Sequence, residues 1–397
     1  MGHAARDRTA RRDTGPDGTG LSHDELIRYA RQLILPDVTL EGQRRLKRAA
    51  VLCVGAGGLG SPLTLYLAAA GVGRIGLVDG DRVDLTNLQR QVLYATGDVG
   101  RPKLEAARER LRALNPEVEV VAHPGRLTAD NALELIAPYD VVADGTDNFP
   151  TRYLVNDACV LAGKPNVSAS VFRFEGQVSI FDARRGPCYR CLFPEPPPPE
   201  LAPSCADAGV LGVLPGIIGS LQALETIKLL LGIGDPLIGR LVLFDALPFR
   251  FRELEVRKDP RCPACGDRPA IRDLTTTAEQ CGVPAGGLAD ADPSSISPEE
   301  LRDRLARGEP VELLDVREPF ERAIVRLEGE THIPLGELPA RVGELDPARA
   351  YAVYCHHGIR SAEAVRFLRR AGFRKLYNLA GGIDAWAARV DRTRSRY

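Results

Sequence analysis

Val51-Leu52-Cys53-Val54-Gly55-Ala56-Gly57-Gly58-Leu59-Gly60 runs from an apolar strand into a glycine-rich turn. Leu63, Tyr66, Leu67 and Ala70 then recur at helical spacing, and Ile75-Gly76-Leu77-Val78 reads as a second strand, so the stretch predicts a βαβ unit. Gly55 permits the tight turn, Gly57 and Gly58 let backbone amides approach a phosphate, and Gly60 lets the helix pack close to the strand. The helix N-terminus favours negative charge there. Asp79, 19 residues beyond Gly60, supplies the acidic group that holds ribose hydroxyls in such folds.

Outward from that unit the alternation continues. A helix is expected after Pro102, with proline at its first position, and strands over Val118–Ala122 and Asp140–Ala143. This pattern implies an α/β, Rossmann-like doubly wound and largely parallel sheet. Residues 1–20 are polar and aperiodic, the composition of a disordered tail, and 273–294 read as a linker of small residues. Beyond it a second, smaller α/β domain is expected over 295–397: a helix from Pro298, strands over Val311–Val316 and Tyr351–Tyr354, and a helix over Ala362–Arg370.

The formal net charge of −1 over 397 residues gives no field for steering nucleic acid, so a nucleic-acid partner is not expected. No run of 18 apolar residues appears, which points to a cytoplasmic protein with no membrane partner. Nine cysteines include two Cys-x-x-Cys pairs, a sign of metal or redox chemistry ahead of disulfides.

Asn87-Leu88-Gln89-Arg90-Gln91, with Lys103 and Asp147-Asn148, bears on whether the nucleotide is a dinucleotide or ATP. Adenylation needs cations over the phosphates that become the leaving pyrophosphate, and Arg90 and Lys103 meet that need. Asp147, just past a strand at the carboxyl edge of the sheet, suits Mg²⁺ between phosphates; its rival role is a helix cap. An NAD-dependent oxidoreductase on the same glycine loop is the alternative, as is a nucleotide-binding scaffold.

Cys188-Tyr189-Arg190-Cys191 and Cys262-Pro263-Ala264-Cys265 offer four thiolates, the ligand set of a closed structural zinc site. Two separate redox dithiols are the rival reading. Near the far end, Cys355-His356-His357-Gly358-Ile359-Arg360 follows a strand, with a helix expected to start at Ser361. Loop amides and the helix N-terminus would converge on one sulfur and favour a persulfide anion, with Arg360 adding positive charge. Phosphatase loops place five residues between Cys and Arg, and this one has four, so sulfur transfer is favoured over phosphate-ester hydrolysis; a silent fold is the third possibility. His356 and His357 read as solvated loop residues. Cys53 and Cys159 stand in apolar contexts and read as inert.

Arg28-Tyr29-x-Arg31-Gln32, the glycine loop, Asp79, Asn87–Gln91, Lys103, Asp144-Gly145-Thr146-Asp147-Asn148 and Asn156-Asp157 together resemble the MoeB/ThiF family, the ubiquitin-activating-type adenylyltransferases, over residues 21–272. The resemblance implies that Gly58, Asp79, Asn87, Arg90, Lys103 and Asp147 contact ATP. It also implies that Arg31 reaches the phosphates of a neighbouring subunit in a homodimer, and that the four cysteines carry zinc. Cys205 stands where related enzymes have a cysteine on a mobile crossover, implicated in a covalent link to a carrier protein. Leu314-Asp315-Val316-Arg317-Glu318, the Cys355 loop and Gly381-Gly382-Ile383-x-x-Trp386 resemble a rhodanese domain, in which Cys355 would carry the transferable sulfur. Together the two resemblances imply MgATP-dependent adenylation of a small ubiquitin-like sulfur-carrier protein ending in Gly-Gly. Conversion to a thiocarboxylate would follow, with sulfur supplied by thiosulfate or a cysteine desulfurase.

Overall fold

The computed structural model describes residues 20–196, 209–275 and 295–397. Residues 1–19 of the expected tail, 276–294 of the expected linker, and Cys205 and Cys281 lie outside the described residues. The chain separates into two compact units, Met1–Val283 and Pro284–Tyr397.

The first unit is built on an eight-stranded sheet of order β3-β2-β1-β4-β5-β6-β7-β8. The strands are β1 (Ala50–Val54), β2 (Arg74–Asp79), β3 (Glu119–Pro124), β4 (Val141–Asp144), β5 (Asn166–Phe172), β6 (Glu175–Phe181), β7 (Arg240–Asp245) and β8 (Arg250–Glu255). β1 to β5 run parallel, and β6 to β8 continue the sheet as antiparallel strands. Successive residues of a strand face opposite sides, and β1 is buried on both. Val51 and Cys53 join the helices Gly60–Ala70, Lys103–Leu114 and Val213–Leu231 on one face; Leu52 and Val54 join Ile136, Leu154 and Val155 on the other. That two-sided burial is why β1 reads as an unbroken apolar run.

The glycine turn is sterically required. A Cβ on Gly60 would run into the Gly55 carbonyl, so only glycine lets helix Gly60–Ala70 start against the end of β1. Pro102, expected at the first helical position, stands one place earlier as the cap of helix Lys103–Leu114, its carbonyl accepting from Glu105 and Ala106. Helix Val213–Leu231 is long and apolar enough to cross a membrane by length and composition. Here it packs on helix Gly60–Ala70 and on β5 and β6.

The second unit holds a five-stranded parallel sheet of order β11-β10-β12-β13-β9. Its strands are β9 (Ser295–Ile296), β10 (Val311–Asp315), β11 (Thr331–His332), β12 (Ala350–Tyr354) and β13 (Lys375–Leu379). Central β12 ends at Tyr354, one residue before Cys355, and helix Ile359–Arg370 follows, starting two residues before the expected Ser361.

Candidate functional site

In the first sheet the strand order reverses between β1 and β4, because β2 and β3 lie to one side and β5 onward to the other. Loops after strands flanking such a reversal diverge and leave a crevice. The Gly55–Gly60 loop follows β1 and the Gly145–Asn148 loop follows β4, close enough that a Cβ on Gly55 would lie 3.2 Å from the Gly145 carbonyl. The amides of Gly57, Gly58 and Leu59 carry no hydrogen bond among the described residues, and they precede an eleven-residue helix. Free amides at a helix start suit a phosphate.

The expected contact residues gather round this loop to different degrees. Asp79 Oδ2 accepts from the Ala56 amide at 2.9 Å and Oδ1 from the Asp81 amide at 2.8 Å. Asp81 in turn pairs with Lys103 Nζ at 3.0 Å, and Lys103 is buried. The Arg90 side chain lies beside Gly58 and donates to the Thr86 carbonyl at 3.0 Å. Asn87 anchors the turn that carries it, its carbonyl accepting from the Arg90 and Gln91 amides. Gln91, missed as an individual residue, lies beside Gly57 with its buried Oε1 unpaired, an atom suited to a ligand's donor.

After β4, Asp144 is fully buried and its Oδ1 accepts from the Thr146 amide and hydroxyl, which shapes the loop. Burial pushes its carboxyl up, against the pull of Arg152. The cap of helix Phe149–Ala162 is Asn148, whose Oδ1 accepts from Thr151 N at 3.0 Å. Asp147 is therefore free of the capping role and stands exposed at the crevice.

The four knuckle cysteines meet. Their sulfurs all lie within 4.8 Å of one another, at 3.5 Å for Cys188–Cys262, 4.0 Å for Cys188–Cys191 and 3.4 Å for Cys191–Cys265. Thiolates about 2.3 Å from a tetrahedral Zn²⁺ sit about 3.8 Å apart, so the cluster is compatible with zinc. This closes off the reading as two independent dithiols. Asn156 and Asp157 hold the first knuckle: Asn156 Oδ1 accepts from the Tyr189 amide at 2.7 Å, and Asp157 takes Arg190 Nε and Nη2, each at 2.8 Å. All four of these partners are buried.

In the second unit, Cys355 is 1% exposed; its sulfur receives the Gly358 amide at 3.1 Å and lies 3.4 Å from Ser361 Oγ. Gly358 has φ +95°, a left-handed turn that curls the chain back over the sulfur. Asn378 steadies the cradle, accepting from Ser361 Oγ at 2.7 Å and donating to the Gly358 carbonyl. The charge expected from Arg360 is held in place by Glu321, to which Nη1 and Nη2 each donate at 2.6 Å. One sequence expectation changes here. His356 is buried rather than solvated, its ring stacked on Tyr397 at 4.1 Å and beside His357 at 3.8 Å. Glu321, Asn378 and Tyr397 carried no local signal, because their role comes from packing against the loop.

Cys53 and Cys159 are buried; burial pushes the Cys53 thiol up to about 12 and raises Cys159 as well. Arg31 is exposed on the short helix Ala30–Leu33.

A phosphate cradle at the switch point of a doubly wound sheet, on one chain with a sulfur cradle at the centre of a smaller parallel sheet, defines a nucleotide-binding α/β protein bearing a sulfurtransferase-type module. The ThiF family model matches residues 29–264 and the Rhodanese-like domain residues 297–389. The chain belongs to the ThiF family and carries a rhodanese-like domain behind it. It is 49% identical over 379 residues to the "Probable adenylyltransferase/sulfurtransferase MoeZ" of Mycobacterium tuberculosis, covering 94% of this chain and 95% of that protein. It is 60% identical over 265 residues to the "Sulfur carrier protein adenylyltransferase" of Thermus thermophilus, covering 66% of this chain and 98% of that protein. Among solved structures, PaaA superposes with a TM-score of 0.53 at 26% identity, over 60% of this chain and 76% of its own.

Proposed function

We propose that the first unit adenylates the C-terminal carboxylate of a small ubiquitin-like sulfur-carrier protein and that Cys355 then supplies sulfur to the activated carboxyl. Full-length likeness to a relative named adenylyltransferase/sulfurtransferase supports the pairing of the two activities. The observation that carries the reading is the glycine turn, with three amides unbonded among the described residues and Arg90 beside Gly58. Hydride transfer has no use for that cation, whereas a departing pyrophosphate does. The adenylyltransferase domain is read as 21–272 and the rhodanese domain as 295–397, joined by the linker 273–294.

In this scheme a carrier carboxylate oxygen attacks the α-phosphorus of ATP and pyrophosphate leaves. Gly58, Asp79, Asn87, Arg90, Lys103 and Asn148 hold the nucleotide, and exposed Asp147 would hold the Mg²⁺ that accompanies it, whose charge would offset that of the phosphates. The terminal sulfur of a Cys355 persulfide then attacks the acyl carbon and AMP departs, leaving an acyl disulfide. A second thiol cleaves that disulfide, itself ending in a mixed disulfide with Cys355 and freeing the thiocarboxylate. Cys205 is the thiol assigned to this step. The persulfide sulfur comes from thiosulfate or a cysteine desulfurase. Zinc at Cys188, Cys191, Cys262 and Cys265 is structural, since four protein ligands leave no open position.

Arg31 is assigned to the phosphates of a second copy in a homodimer. Exposed Ile27, Ile34 and Leu35 around it favour a covered surface. Exposed Leu247, Phe249 and Phe251 beside a groove of about 170 Å³ lined by Phe172, Gln177, Phe244 and Arg252 suit a protein partner. The free cysteines of the described residues fit a reducing cytoplasm.

The test is exchange of labelled pyrophosphate into ATP with a Gly-Gly-ending carrier, then the intact mass of that carrier after ATP and thiosulfate. Exchange, and replacement of one carrier oxygen by sulfur, are expected; neither appearing with any such carrier overturns the reading.

A further inference from the structure

Tyr94 is a buried tyrosine that neither the glycine motif nor the adenylation scheme uses. It is 7% exposed, and its hydroxyl donates to the Ala56 carbonyl at 2.7 Å. Burial, with Asp79 and Asp81 nearby, pushes its ionisation up, so the phenol keeps the proton it donates. The Ala56 amide on the other side is taken by Asp79 Oδ2 at 2.9 Å. Ala56 is thus gripped at both its peptide groups in a turn whose next three amides are unbonded among the described residues. Tyr94 reaches this position because the turn rooted at Asn87 continues through Gln91, whose carbonyl accepts from the Tyr94 amide. A single segment therefore delivers Arg90, Gln91 and Tyr94 to the glycine loop.

A planar trans peptide points its C=O and N–H in opposite directions. Fixing the Ala56 oxygen therefore fixes the direction of the Gly57 N–H. We propose that Tyr94 is a positioning residue for the nucleotide's phosphates: by holding the Ala56 carbonyl it aims the Gly57 amide into the crevice. Asp79 performs the matching task on the preceding peptide, in addition to any contact with the ribose. This inference rests on the reading of the first unit as an ATP-using domain.

Full-length protein and its Tyr94→Phe variant, which keeps the ring and loses only the hydroxyl, are titrated calorimetrically with ATP and with adenosine. Wild type should prefer ATP. The variant should lose affinity for ATP by about tenfold while its affinity for adenosine stays within about twofold, because only the phosphates use the Gly57 amide. An unchanged ATP affinity, or equal weakening toward both ligands, overturns the proposal. Wild type that fails to prefer ATP sinks the ATP reading itself, a result separate from a wild type that prefers it and a variant that does too. If the variant melts early, the rise in melting temperature under saturating ATP against adenosine gives the same comparison on folded protein.

Discussion

Arg360 and Glu321, 39 residues apart in sequence, form a two-pronged ion pair with both N···O distances at 2.6 Å. The pair closes one side of the Cys355 loop, and Tyr397 adds its hydroxyl to Glu321 at 3.1 Å. The guanidinium therefore acts first as a fixed strut of the loop. Burial alone would raise the Glu321 carboxyl, but Arg360, the Glu318 amide and Tyr397 hold it below its usual value of 4.5. A carboxyl lowered on folding contributes stability above its ordinary value and loses it as pH falls through the lowered one.

Glu321→Gln should cost the second unit about 2 kcal/mol near neutral pH, because Arg360 keeps its charge in a half-buried place without its carboxylate. The difference from wild type should shrink as pH falls below about 4.5, where wild type loses the same interaction. Trp386, the sole tryptophan, belongs to the second unit, so denaturant unfolding followed by its fluorescence reads that unit in the intact chain. A pH-independent difference would contradict the assignment.

Cys355→Ala should leave pyrophosphate exchange at the wild-type rate and abolish thiocarboxylate formation on the carrier. Intact mass after thiosulfate should show one added sulfur on wild type and none on the variant. Retained sulfur transfer would place the reactive thiol elsewhere.

Removing Arg90 as Arg90→Ala should slow pyrophosphate exchange by roughly 10²-fold, the usual loss for one donor placed at developing charge. Lys103→Ala should also slow exchange, and it leaves Asp81 without its cation. Variants with normal exchange would remove both residues from the phosphate site.

One zinc per chain is expected by metal analysis of the purified protein. Cys262→Ser should lose it and lower the melting temperature, because the metal joins segments more than 70 residues apart. Asp157→Ala strikes the same knuckle from behind: it strips the carboxylate from fully buried Arg190 and should destabilise by about 3–5 kcal/mol. A stable, zinc-loaded Asp157→Ala protein would show that the ion pair does not hold the knuckle.

Much of the architecture was legible locally. Apolar runs at Val51–Val54 and Ile75–Val78 gave buried parallel strands, since a strand covered on both faces has no polar side to display. The extension β6 to β8 was not legible. In β8 every residue is exposed, so its sequence, Arg250–Glu255, carries no apolar alternation to read. Asn156-Asp157 was visible as a motif, but its work of anchoring Tyr189 and Arg190 was not.

The sequence by itself determined the phosphate turn, the paired cysteine knuckles and the sulfur loop, because each depends on neighbours within a few residues: glycines where a Cβ will not fit, thiolates at ligand spacing, a cysteine before a helix. Only the tertiary structure decided which charges are free and which are engaged. Lys103 meets Asp81, Arg360 meets Glu321 and Tyr94 meets Ala56 through packing between distant segments. A side chain's partner is set by the fold that brings it close, and spacing along the chain does not encode that distance.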